Sequence, residues 1–383
     1  MPLTEPQQAL RAGAWAFARD EVLPLANRLD PQRAEIPDAL LERLAELGYF
    51  GITLPRQAGG MGLGVVEYCL VSEALASAWM SVASVIGYTN GSTVALQCPG
   101  RDGYLRRMAA GRMLIAFALT EPEAGSDAAG LTCQAVRDGD GWAISGRKRW
   151  CGYARNADAI LVYARTVPMP GSARHRGISC FLVEKQRDGF PDGLVGRPIA
   201  KIGYFGITSW ELDFEGLRLP RGSLMGAEGE AFAGGMQELT MARVQTAARA
   251  TGCAQGALDE ARVHAASRQQ FGRRLDRFQA IRFRLAEMAT QIEAARSLTY
   301  AAAVQLDAGR PAIETASMAK LFASEMAEWV ASEAMQILGG NGYTTEHAVE
   351  RHWRDARLTR IIEGTSEMQK HIIARRLLGS DGG

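Results

Sequence analysis

The chain has 383 residues, which at roughly 150 residues per domain implies two or three packed units. Lys plus Arg total 43 against 42 for Asp plus Glu, a net charge of +1. That balance excludes a protein held on a polyanion by bulk charge, because counterion release needs surplus cations. Hydrophobic residues at 47% and charged residues at 22% exclude disorder for most of the length.

In chain order, Met1 to Asp20 carries Glu5, Asp20 and no continuous apolar stretch, so it does not read as a signal peptide. The first ~115 residues have helical apolar spacing. Pro37 opens and Gly48 closes a helix in the preferred order. Leu70, Val71, Ala74, Leu75, Ala78 and Val82 form a second stripe, with the tight loop Gly59–Gly64 between the two. From about Leu114 to Gly226 the pattern turns β. Ala159–Ala164 and Ile178–Val183 are β-prone runs, and Trp210, Leu212 and Phe214 alternate with polar residues. Asp138-Gly139-Asp140-Gly141 reads as a hairpin turn. From about Gly229 long helices return. Leu285, Met288, Ile292 and Ala295 mark one apolar face, and Met318, Leu321, Phe322, Met326, Trp329 and Val330 another. Antiparallel bundle packing follows.

The six cysteines (69, 98, 133, 151, 180 and 253) include no C-x-x-C pair and fit reduced, mostly buried thiols in a cytoplasmic protein. The five histidines give no zinc spacing, so no metal is expected. No segment reaches the ~18 apolar residues of a membrane span.

The most informative segment is Phe117 to Gly130, FALTEPEAGSDAAG. By itself it offers backbone amides, the hydroxyls of Thr120 and Ser126, and glycines that allow close approach. Those features suit an anionic or polar cofactor edge, and equally a polar loop capping a helix. The string resembles the first signature of the acyl-CoA dehydrogenase family. Gln336-Ile337-Leu338-Gly339-Gly340-Asn341-Gly342-Tyr343, followed by Glu346, Arg351 and Asp355, resembles the second. Gly146–Trp150 and Arg268–Gly272 lie between them in family order, and the resemblance spans essentially the whole chain.

The resemblance implies an α+β fold with an N-terminal α-helical domain (1–115), a central β-barrel-like domain (116–227) and a C-terminal four-helix bundle (228–383). It implies FAD between the β module and the bundle. By position, Phe117, Leu119 and Thr120 would line the isoalloxazine, with Gly125 in the same loop and Ser126 at the phosphate or acyl-thioester end. Trp150 would pack on the flavin ring beside Cys151 and Gly152; without the motif, Trp150 reads as a core tryptophan. Arg268, Gln270 and Phe271, with Leu275, Phe278 and Gln279, would reach the cofactor of a neighbouring subunit in a homodimer or homotetramer. The seven arginines between Arg262 and Arg284 against the single acid Asp276 are otherwise a solvated basic face or a nucleic-acid patch. Gln336 and Gly340 would complete the adenosine pocket, even if Gly339–Gly342 is also a helix C-terminal turn. Thr365 and Glu367 are further cofactor positions, and Arg243 and Gly364 join Ser126 at the substrate.

Removing a proton α to a thioester carbonyl requires a positioned carboxylate. Glu363, flanked by Ile361, Ile362 and Gly364, matches the family's base. The position used by a second branch, just before Arg243, holds Ala242. Ser366 and Gln369 have the spacing of a capping box. The family often carries a hydroxyl residue two places after the tryptophan, bonded to flavin N5; here Gly152 stands there, leaving a backbone amide or Cys151 as substitute. The implied activity is dehydrogenation of an acyl-CoA to the trans-2-enoyl thioester, with electrons passed to an electron-transfer flavoprotein. An acyl-carrier-protein substrate, a flavin oxidase or monooxygenase of the same fold, and a non-catalytic binding protein are the alternatives.

Overall fold

The computed structural model describes residues 2–91, 100–167 and 173–379; Cys98 lies outside them. Helices come first: α1 (Glu5–Phe17), α2 (Leu23–Leu29), α3 (Asp38–Glu46), α4 (Val65–Ala78), α5 (Met80–Val85), α6 (Gly87–Asn90) and α7 (Arg101–Ala109). Helix α3 starts after Pro37 and ends before Gly48, whose φ of 73° only glycine adopts cheaply. The stripe from Leu70 to Val82 is interrupted, because Trp79 is extended and separates α4 from α5. Helix α4 is buried on nearly all sides, so it is a core helix rather than an amphipathic one.

Eight strands follow: β1 (Ile115–Ala118), β2 (Gln134–Asp138), β3 (Gly141–Gly152), β4 (Ala159–Arg165), β5 (Ile178–Glu184), β6 (Leu194–Ile199), β7 (Ser209–Leu219) and β8 (Leu224–Met225). They form one mixed sheet in the order β6-β7-β3-β2-β4-β5-β8, with β1 parallel to β4. Asp138 pairs with Gly141 across the two-residue turn expected there. On β7, Trp210, Leu212 and Phe214 are the buried alternation.

Three long helices, α8 (Ala231–Ser267), α9 (Gln279–Asp307) and α10 (Ile313–Leu338), then pack with the shorter α11 (Val349–Thr359) and α12 (Ser366–Leu378). On α10 the buried stripe is Ala316, Ala319, Ala323, Ala327, Ala331 and Ala334, while Leu321, Phe322 and Trp329 are only partly buried. Small residues win the interior because they let helix axes approach. Glycine does the same between α8 and α4: a Cβ at Gly252 or Gly256 would collide with the carbonyl oxygens of Glu73 and Ser77.

Charged contacts tie the helical ends to the rest. Arg296 on α9 pairs with buried Glu73 on α4 at 2.7 Å, and Tyr300 donates to the same carboxylate at 2.9 Å. Arg351 on α11 donates to Asn27 and to the Ala78 carbonyl, each at 3.0 Å. Asp355 accepts the Tyr204 N–H at 2.6 Å.

Inside the β module one ion pair is fully enclosed. Lys148 Nζ stands 2.8 Å from Glu121 Oε1 with side-chain exposures of 0% and 4%. Lys148 also donates to the Leu119 carbonyl at 2.9 Å. Glu121 accepts from the Thr132 N–H (2.6 Å), the Thr132 hydroxyl (2.9 Å) and the Cys133 N–H (2.8 Å). Both carboxylate oxygens and two of the three ammonium protons are engaged, which fixes the segment Leu119–Glu121 against β3.

Two stability predictions follow from these carboxylates. Burial raises the Glu121 carboxyl, but the Lys148 charge and the hydrogen bonds from Lys148, Thr132 and Cys133 outweigh it and hold it below the usual range. Its contribution is therefore present at neutral pH and lost as pH falls through that depressed value. Lys148→Met leaves the carboxylate unpaired and should lower unfolding free energy by about 3–5 kcal/mol; an unchanged urea midpoint would show that the pair does not hold the loop. Asp355 behaves oppositely, pushed up to about 7 by burial and then by the Asp30 charge, against Arg354, the Tyr204 N–H and Arg351. Its raised value means the fold loses stability as pH rises from about 4 to 7. Asp355→Asn, which can still accept from Tyr204, should remove that component; equal slopes of Tm against pH in both proteins would contradict it.

Candidate active site

The segment after β1 is placed beside the middle of β3 by one backbone joint. The Arg149 N–H donates to the Thr120 carbonyl at 2.8 Å, so Thr120 lies next to Trp150. The register of β3 against β7 slips between Lys148 and Cys151, and such bulges re-aim side chains. Trp150 sits in that slip with φ of 62°, a conformation costly for a bulky residue, of order 1–3 kcal/mol. Its indole is 54% exposed, whereas Trp142 is 1% exposed. The core tryptophan of the module is thus Trp142, and Trp150 is held outward.

Its neighbours divide. Cys151 is buried, with Sγ 3.9 Å from the Arg149 carbonyl, and burial pushes its thiol up to about 12. Its side chain belongs to the core, so it is no substitute for the hydroxyl lacking at Gly152. Gly152 has no left-handed backbone; what a side chain there would meet is the Tyr88 hydroxyl, 2.5 Å from its Cβ. Tyr88 comes from α6 and stacks on Tyr153 with ring centroids 5.7 Å apart. Around Gly125 the space is open, the nearest atom to an added Cβ being Thr120 Cγ2 at 3.9 Å, and Ser126 is exposed.

Glu363 approaches from the bundle. It is half-buried, and both it (φ 55°) and Gly364 (φ 89°) are left-handed. The turn is clamped from below. Lys320 Nζ donates to the Gly364 carbonyl at 2.6 Å, and Gln369 Nε2 donates to the carbonyls of Gly364 (2.8 Å) and Glu363 (3.3 Å). Lys320 is fully buried, and burial drops its ammonium to about 8 although the Glu363 charge opposes the shift. The cap of α12 is Thr365, which accepts the Met368 N–H at 3.3 Å. Ser366 is not the cap, because Gln369 is engaged with the turn instead. Glu367 is exposed in the first turn. Arg243 on α8 is buried with Nε and Nη1 unpartnered; burial lowers its pKa against the Glu363 charge. Tyr88 and Tyr204 also feel the Glu363 charge. Tyr88 thus stands against Gly152, two residues from Trp150, and within electrostatic reach of Glu363, as Arg243 is from α8.

A second group lies elsewhere. Arg268 caps α8, and a short hairpin, β9 (Gln269–Gln270) against β10 (Arg273–Arg274), follows it. Phe271 at its tip has φ of 53° and is 93% exposed. Phe278 packs edge-on to Phe271 at 6.4 Å, and Arg273 lies over the Phe278 ring at 4.1 Å. Leu275 and Phe278 lead into Gln279, the first residue of α9. Gln336 is in the last turn of α10, and Gly340 lies in the helical turn Gly339–Tyr343 with open space around it. Among the described residues no hydrogen bond, ion pair or ring contact joins this group to the Thr120–Trp150 neighbourhood.

These residues fit a flavin. A planar aromatic held outward by a strained backbone suits one face of a ring system, and the open Gly125–Ser126 loop leaves donors free. Sequence reasoning missed Lys320, Gln369, Tyr88 and Tyr204; the only hint was a lysine inside the otherwise apolar Ala319-Lys320-Leu321.

Known families match the chain throughout. The acyl-CoA dehydrogenase N-terminal, middle and C-terminal domain models match residues 4–112, 116–217 and 232–378. The caffeyl-CoA reductase-Etf complex subunit CarC of Acetobacterium woodii is 37% identical, over 99% of this chain and 100% of that one. The butyryl-CoA dehydrogenase structure from Megasphaera elsdenii superposes with a TM-score of 0.92 at 35% identity, covering 99% and 100% of the two chains. A glutaryl-CoA dehydrogenase of Mycobacterium smegmatis in complex with FADH2 gives 0.91 at 27%, covering 99% and 96%. With three domain models matched end to end, the chain belongs to the acyl-CoA dehydrogenase family, FAD-dependent oxidoreductases that act on acyl-CoA thioesters.

Proposed function

We propose that this enzyme desaturates an acyl-CoA between Cα and Cβ, with Glu363 as the base. The observation that carries the proposal is the clamped left-handed turn at Glu363–Gly364, which holds the one family-consistent carboxylate within electrostatic reach of Arg243 and Tyr88. Glu363 Oε takes the Cα proton. The C–H pair left behind becomes the new π bond as hydrogen leaves Cβ. FAD, held by Phe117, Leu119, Thr120, Ser126 and Trp150, supplies the acceptor for that hydride. Lys320 and Gln369 fix the turn through the Glu363 and Gly364 carbonyls, and the Glu363 N–H, held by that same turn, faces the thioester oxygen and stabilises the enolate-like transition state. Arg243 and Gly364 flank the same thioester.

Arg268, Gln270, Phe271, Leu275, Phe278, Gln279, Gln336 and Gly340 face the FAD of a second copy in a homodimer or a dimer-paired homotetramer; their separation from Trp150 within one chain supports this. Thr365 and Glu367 complete the cofactor's surroundings. Electrons leave to an electron-transfer flavoprotein, as the name of the Acetobacterium relative suggests. Five described cysteines, free and buried, support a cytoplasmic setting.

Two experiments test this. Glu363→Gln keeps shape but cannot accept the proton, so FAD should stay bound while anaerobic flavin reduction by acyl-CoA slows at least about a hundredfold; a wild-type rate would place the base elsewhere. Arg268→Ala removes a charge-assisted phosphate contact of about 1.5–3 kcal/mol. Flavin retention and dimer stability should fall together on dilution, and loss of neither would argue against a shared site.

A further inference from the structure

Beyond Arg243, α8 carries a second buried arginine that the reaction does not use. Arg249 is 6% exposed. Among the described residues its guanidinium makes one hydrogen bond, Nη2 to Thr246 Oγ1 at 2.7 Å. It has no ion pair there, and its Nε is buried with no partner. A guanidinium stays charged at any ordinary pH, so burial without an anion leaves a strong demand for one.

The groups around it are also incompletely satisfied. Gln245, one helical turn before Arg249, is 5% exposed and its Nε2 has no partner. The Tyr68 hydroxyl is fully buried and equally unpartnered. Both approach the backbone of α6: a Cβ on Gly87 would lie 3.3 Å from the Tyr68 hydroxyl and 3.5 Å from Gln245 Oε1. Tyr88 and Tyr204 lie within electrostatic reach of both Arg249 and Glu363. Arg249 lies six residues beyond Arg243, about 9 Å along the axis at 1.5 Å per residue. Arg249, without an ion pair among the described residues, thus shares two tyrosine neighbours with Glu363 and has the Gln245 amide one helical turn away.

Resting on the proposal that Glu363 marks the reacting carbons, we infer that Arg249, with Gln245 and Tyr68, is the subsite for a carboxylate at the far end of the acyl group, so that the substrate class is a short-chain dicarboxylic acid monothioester. A guanidinium fork donates two parallel bonds to a carboxylate, and the Gln245 amide and Tyr68 hydroxyl donate to its remaining lone pairs. An alkyl terminus in the same place would leave all three unsatisfied, which discriminates against simple fatty acyl chains.

The test compares glutaryl-CoA with valeryl-CoA, equal in length but ending in carboxylate or methyl. Binding is measured by calorimetry on FAD-loaded protein carrying Glu363→Gln, so that no turnover occurs. Glutaryl-CoA should bind at least about tenfold tighter. Adding Arg249→Met should weaken glutaryl-CoA by about ten- to a hundredfold and leave valeryl-CoA nearly unchanged, and Arg249→Lys should recover part of the loss. Equal or tighter valeryl-CoA binding before Arg249 is changed overturns the inference, even if the methionine variant fails to fold. Equal weakening of both thioesters overturns it as well. With Glu363 intact, preferential glutaryl-CoA binding without flavin reduction would leave the subsite standing and remove the dehydrogenation proposal. Flavin reduction by valeryl-CoA but not glutaryl-CoA would do the reverse.

Discussion

The enclosed Lys148–Glu121 pair is the constraint on which the wall proposed to face the flavin depends. A lysine on β3 and a glutamate on the loop after β1 are 27 residues apart, and neither can be left alone in a dry interior. Once they meet, Lys148 reaches the Leu119 carbonyl and Glu121 collects two backbone amides. Thr120, between those anchors, has nowhere to go except alongside Arg149. Trp150 follows directly and is turned outward in the left-handed slip of β3. A wall of polar backbone and one aromatic plate is thus built from a charge pair that is itself enclosed.

A parallel solution operates at the opposite wall. The turn carrying Glu363 is left-handed at two successive residues, and isolated turns of that kind are mobile. Lys320 and Gln369 hold it from beneath through three carbonyl contacts. Both supporting side chains are buried, so the carboxylate is carried on a rigid base while its own side chain stays half-exposed. Precision at the reacting atoms comes from polar groups buried one layer away.

Much of this architecture was legible in the sequence, for physical reasons that differ by element. Alternation in β7, the two-residue turn at Gly139-Asp140 and the proline-to-glycine span of α3 are local signals, and each is where local chemistry placed it. The stripe from Leu70 to Val82 misled because composition alone does not reveal the extended Trp79. On α10 Met326 and Val330 are buried as the apolar face implied, but alanines make up most of the stripe and Met318, Leu321, Phe322 and Trp329 lie only partly buried; close packing rewards small volume, which hydrophobicity does not register. At the proposed site, Trp150 and Glu363 are singled out by motif strings, but the groups that hold them are not. Lys320, Gln369 and Tyr88 act across long sequence separations, and a lone lysine in a helix or a tyrosine in a four-residue helix has no local pattern to announce it. Cys151 and Ser366 show the complementary limit: adjacency to a functional position says little about which way a side chain turns.

The notch made by Gly252 and Gly256 carries one more consequence. Because α8 rests directly on carbonyl oxygens of α4, the distance between these helices is fixed by backbone and not by side chains. Residues on α8 just ahead of the notch, including Gln245, Thr246 and Arg249, can therefore be exchanged without altering how far apart the helices stand. Chemical preference at that wall is uncoupled from the spacing of the scaffold. In evolutionary terms, such a scaffold can try new ligands one side chain at a time, with the frame that positions Glu363 left undisturbed.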